Sequence, residues 1–84
     1  GEILNFTKLQ GVDAEVIELE VKEGSSILEN KLKDLNFPKE GIVGGLIRGD
    51  DSMIPRGDFQ FQVGDRVLIV TKKEGMKAIE QMFK

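Results

Sequence analysis

Four apolar residues in a row, Val67-Leu68-Ile69-Val70, entered through Gly64-Asp65 and Arg66, constrain this chain more than any other feature. An unbroken apolar run of that length reads as a strand buried on both faces. A chain of 84 residues buries only about two-thirds of the surface its unfolded form exposes. It has room for one such central strand, and the other elements must be arranged around it.

The stretch before it supplies neighbours. Ile42-Val43-Gly44-Gly45-Leu46-Ile47-Arg48 is strand-like apart from two adjacent glycines, which weaken a strand and mark close approach by another backbone or a ligand. Ser52-Met53-Ile54-Pro55 is short and ends in a residue that cannot donate to a ladder, so it belongs at an edge. Gly49-Asp50-Asp51 joins the two runs with residues suited to a turn, and 42–55 is expected to be a hairpin. Phe59, Gln60, Phe61, Gln62 and Val63 then alternate as a short extended piece.

Earlier in the chain, Ile17, Leu19 and Val21 fall on one face of a period-two pattern, which predicts a half-buried strand from Ala14 onward. Ser26 followed by Glu29 forms a capping-box pattern, and Leu28, Leu32 and Leu35 recur at helical spacing before Pro38. This predicts a helix over 27–35. Met76, Ile79, Met82 and Phe83 predict a second helix. Residues 1–11 show no sustained period and are expected to be a linker or docking segment, with the domain proper over 12–84. The expected fold is α+β, a mostly antiparallel sheet covered by two helices in the order strand, helix, hairpin, strand, helix. Gly1 stands where an initiator methionine is expected, which reads as the trace of tag removal or of a fragment cut from a longer chain.

Composition narrows the function. The chain has no histidine, cysteine, tryptophan or tyrosine. It therefore lacks the commonest general base, imidazole and thiolate metal ligands, and the best stacking residues. A net charge of −3 with interspersed signs gives no basic surface to follow phosphates, so nucleic acid is not an expected partner. No apolar run approaches the roughly 20 residues that span a bilayer.

Arg-Gly-Asp occurs at 48–50 and 56–58 and reads as turn chemistry. Asp50, Asp51, Asp58 and Asp65 read as solvated turn carboxylates, a weak cation effector being the functional alternative. Arg48, beside two glycines and a proline-bounded edge, is the candidate anion clamp. Val43, Ile47, Ile54 and Pro55 are the candidate apolar walls around it.

Several local patterns, taken in order, resemble the TrkA C-terminal domain, the C-lobe of the domain that regulates potassium conductance (RCK). They are Ala14-Glu15-Val16-Ile17-Glu18, Leu35-Asn36-Phe37-Pro38, Ile47-Arg48-Gly49, Ile54-Pro55-Arg56-Gly57-Asp58, Gly64-Asp65 and Met82-Phe83. The resemblance implies a non-enzymatic regulatory domain over 12–84 that forms a homodimer. It implies a nucleotide-binding TrkA-N-type lobe as neighbour, a membrane potassium transporter or channel as partner, and a cytoplasmic location beside the membrane. No cofactor is implied for this chain, which has no Gly-x-Gly-x-x-Gly turn. Cyclic di-AMP is the effector that the resemblance suggests, at a two-fold seam near 42–55. Two alternatives stand beside this reading: an accessory or catalytic ferredoxin-like domain using carboxylate chemistry, and a ligand-free dimerisation domain of another transporter class.

Overall fold

The buried run is the middle strand of a five-stranded antiparallel sheet in a computed structural model that describes residues 3–84. In chain order the elements are β1 (Ile3–Lys8), β2 (Glu15–Glu20), two 3₁₀ turns (Ser26–Leu28 and Leu32–Asp34), β3 (Gly41–Arg48), β4 (Asp51–Met53), β5 (Arg66–Thr71), a third 3₁₀ turn (Lys73–Gly75) and α1 (Met76–Met82). The strands lie side by side as β1-β2-β5-β3-β4.

Register decides what each side of the sheet carries. Ile17 pairs with Ile69 and Leu19 with Val67, while Leu46 meets Val67 from β3, so these five share one side. Val21, Ile27, Phe61, Ile79 and Phe83 join them in one buried cluster. Leu68, Val70 and Val16 point the other way and are only half-buried. The expectation of burial on both faces is thus corrected: the buried cluster lies on one side of β5.

The expected helix over 27–35 is replaced by the two 3₁₀ turns, separated by an extended Lys31 (φ −65°, ψ 157°). The reason is where the backbone donors go. Leu32 N–H bonds to the Phe59 carbonyl and Lys33 N–H to that of Gly57, each at 2.9 Å, instead of to their own preceding turn. Leu28, Leu32 and Leu35 still pack on the core. Ser25, not Ser26, caps the first turn by accepting from Ile27 N–H at 3.4 Å. Both serines also donate to the Met82 carbonyl, at 2.6 and 3.2 Å, and so tie the end of α1 to this turn. Among the described residues one α-helix, not two, covers the sheet.

The segment expected as a linker or docking piece contains β1, which pairs with β2 from Ile3↔Leu19 to Lys8↔Glu15. Residues 1 and 2 of that segment lie outside the described residues. Gly64 has φ +94°, a conformation costly for any side chain, and its N–H bonds to the Val21 carbonyl at 2.8 Å. The Asp65 carbonyl accepts from Val21 N–H at 2.8 Å, so the Gly-Asp step clamps β5 to the end of β2.

Candidate functional site

The hairpin forms as expected, Leu46↔Met53, Ile47↔Ser52 and Arg48↔Asp51, with Gly49 at φ +61° in its turn. Beside it Ile47, Met53, Ile54 and Leu68 line an open apolar depression of about 580 Å³. Ile54 is 77% exposed. A second depression of about 320 Å³ lies against 41–43, walled by Leu32, Phe37 and Pro55 and including Val43. The five candidate residues therefore divide: Ile47 with Ile54, Val43 with Pro55, and Arg48 in neither group.

Arg48 is committed inside the molecule. Its Nε donates to Asp65 Oδ1 and its Nη2 to Asp65 Oδ2, both at 2.8 Å, and Nη2 reaches the Gln60 carbonyl at 3.3 Å. The guanidinium lies 4.9 Å from the centroid of the Phe59 ring, which meets Phe61 edge-on at 5.2 Å. Asp65, 1% exposed, also accepts from Gln62 N–H at 2.9 Å. This pair pins the loop between β4 and β5 over the core. A planar fork matched to a carboxylate is what Arg provides. The sequence marks Arg48 as an anion binder, and the anion the fold supplies is its own Asp65.

A second arginine–carboxylate pair lies on the other side of the sheet and was not singled out from the sequence. Glu18, 4% exposed, accepts from Arg66 Nε through Oε2 and from Asn5 Nδ2 at 2.9 Å through Oε1. The hydrogen bond from Arg66 is the main reason its carboxyl lies below the usual carboxylate range, with Asn5 adding to it and burial opposing. The clue was available: Glu18 occupies the outer face of a strand that alternates, opposite Leu68 and two residues from the Glu20↔Arg66 pair, on the same face. Glu15, also buried, has an Oε2 with no hydrogen-bond partner among the described residues.

Glycine use differs from the expectation as well. A methyl group on Gly44 would meet nothing nearer than the Leu68 carbonyl at 3.8 Å, and one on Gly45 nothing nearer than the Met53 carbonyl at 3.6 Å. These are ordinary contacts, so packing inside the chain does not demand either glycine. Gly41 is the packing glycine of this strand, since a Cβ there would sit 2.7 Å from Ile79 Cδ1. The pair instead coincides with a register shift against β5 between Val43 and Gly45.

Asp50 and Asp51 are exposed at the hairpin turn, Asp58 lies 3.5 Å from Lys33 Nζ, and Asp65 belongs to Arg48. Among the described residues no three carboxylates converge on a point that would hold a metal ion. No described helix is long and apolar enough to cross a membrane. The hairpin surface is suited to taking up flat or aliphatic groups, and its nearest arginine is held in place by Asp65.

The TrkA-C domain family matches residues 16–84. The Trk system potassium uptake protein TrkA homolog 1 of Methanosarcina mazei is 37% identical over 82 residues, 98% of this chain and 18% of that protein. TrkA of Haemophilus influenzae is 33% identical over 88 residues, 99% of this chain and 19% of that protein. The chain thus spans under a fifth of the length of these curated relatives. A solved structure described as an RCK domain with cda has the same fold, with a TM-score of 0.67 and 24% identity over 82% of this chain and 97% of that one.

Proposed function

Because the chain belongs to the TrkA-C domain family, we propose that it is a non-enzymatic regulatory module of a potassium uptake system, which self-associates and passes the occupancy of a small effector to a membrane transporter. One observation carries the reading: an exposed apolar hairpin surface, Ile47, Met53 and Ile54, on a chain whose relatives are named for potassium uptake. The two arginine-paired acids support a regulatory role over a catalytic one. Glu18 is held ionised by Arg66 and Asn5, the opposite of what a general acid at neutral pH requires.

The module works beside a nucleotide-binding TrkA-N-type lobe at the cytoplasmic side of the membrane. Its candidate effector is cyclic di-AMP, with a base laid on Ile47 and Ile54 and with Val43, Arg48 and Pro55 holding the hairpin that presents them. The solved RCK domain with cda supports an effector on this fold. A weak cation is the other candidate.

A thermal-shift panel of cyclic di-AMP, related nucleotides and mono- and divalent cations tests the proposal. A ligand at 100 times its dissociation constant adds about 2.7 kcal/mol of stability. Cyclic di-AMP is expected to raise the melting temperature, and Ile54→Asp to remove that rise. An unchanged melting temperature with every ligand at millimolar concentration replaces the effector reading with that of a ligand-free dimerisation domain.

A further inference from the structure

A row of paired residues crosses the sheet at the hairpin depression. Ser52 of β4 pairs with Ile47 of β3, Ile47 with Arg66 of β5, and Arg66 with Glu20 of β2. Directly paired residues point to the same face, so a hydroxyl, an aliphatic side chain and a guanidinium stand in line on the side of the sheet away from the buried cluster. Adjacent strands lie roughly 5 Å apart, which puts about 10 Å between the backbones of the two polar residues. Leu68, two residues on from Arg66 and on the same face, lines the depression together with Ile47 and Ser52.

The two ends of this row have donors to spare. The Arg66 side chain is 47% exposed and uses Nε on Glu18. Among the described residues neither of its Nη groups has a hydrogen-bond partner, and nor does the exposed Ser52 hydroxyl. Arg48, on the hairpin itself, differs, since Asp65 takes both its Nε and its Nη2. Glu18 also accepts from Asn5, so the acid that orients the Arg66 fork is itself fixed. Glu20 lies 3.4 Å from Lys22. The charges of Glu18, Glu20, Lys22 and Arg66 cancel, so what this place offers an anion is directed donors rather than a positive field.

We propose that Arg66 is the anion anchor of the hairpin site. A phosphate of the effector accepts from the Nη groups while Nε stays on Glu18, a planar base lies on Ile47 and Leu68, and the Ser52 hydroxyl meets a polar group on the far side of the base. The anchor rests on the effector reading above and names the residue that selects a phosphate-bearing ligand. Arg48 then serves the fold and Arg66 the ligand, although sequence spacing alone favours Arg48.

Titration calorimetry with cyclic di-AMP at low and high salt, on the wild-type chain and two variants, tests the anchor. Arg66→Gln removes the charge. The double variant Glu18→Gln with Arg66→Gln also neutralises the acid left behind, and it decides the outcome if Arg66→Gln does not fold. The wild type is expected to bind, more weakly as salt rises. Both variants are expected to bind about tenfold more weakly or worse at low salt, as the loss of a charge-assisted hydrogen bond implies, and to keep little salt dependence. A uniform loss with the wild-type salt dependence intact means that Arg66 acts only through the fold, and overturns the anchor. Equal binding by wild type and variants overturns it as well and leaves the effector reading standing. No binding by the wild type at millimolar cyclic di-AMP overturns both.

Discussion

The two arginine–carboxylate pairs are chemically alike and structurally unlike. Asp65 is 1% exposed, takes three hydrogen bonds and faces an arginine whose side chain is 33% exposed, so the pair is an internal strut between the hairpin and the approach to β5. Glu18 is nearly as buried, but Arg66 is 47% exposed and Asn5 comes from the outermost strand, so this pair fastens β1 to the sheet. The same ionic contact serves a closed loop in one place and an edge in the other. The lesson is that the exposure of the cationic partner, more than the burial of the acid, sets what the pair is worth.

The largest effect expected from that difference is at Asp65. Asp65→Ala leaves Arg48 and Gln62 N–H without their acceptor, and removing one member of a buried pair costs about 3 kcal/mol or more, to be read from denaturant midpoints. Gly64→Val follows, since a β-branched residue at φ +94° is strained by about 2 kcal/mol, and the same denaturation measures it. If Gly64→Val melts as the wild type does, the clamp between 64–65 and Val21 tolerates a relaxed turn.

Glu18→Gln is expected to cost less, about 1 kcal/mol, because Arg66 regains water when its partner is neutralised. Its signature is in the pH dependence. The folded carboxyl lies below its unfolded value, so its contribution is full above the unfolded pKa of about 4.3. The contribution is lost as pH falls through the lower folded value. Stability of the wild type should therefore drop in that acid window, and Glu18→Gln should flatten the drop. Smallest of all is Ile54→Ser, within about 0.5 kcal/mol of wild type, since the side chain is 77% exposed. A larger loss would mean that the hairpin surface is part of the folding core.

Much of the scaffold was legible because single residues carried unambiguous instructions. Val67 to Val70 announced the central strand, and Gly49-Asp50 between two apolar runs announced the hairpin. The 26–35 segment misled because leucines at 28, 32 and 35 satisfy a helix and a pair of 3₁₀ turns equally well. The choice was made by Leu32 and Lys33 donating to Phe59 and Gly57, partners far along the chain. β1 was illegible for a related reason: its exposed residues and the register shift between Ile3 and Asn5 erase alternation, and its order comes from pairing with β2. At the candidate site, Arg48 was recognisable as a residue wanting an anion. That the anion is Asp65 follows from the Gly64 turn, which no local pattern around Arg48 reveals.

The central claim is that the covered side of this sheet holds the fold while the exposed hairpin surface is where an effector is taken up. Native-state hydrogen exchange with and without cyclic di-AMP tests it most directly. Amides of β2 and β5 should be the slowest in both conditions, and those of 47–54 should gain protection only with the ligand. Equal exchange of 47–54 with and without millimolar cyclic di-AMP would contradict it.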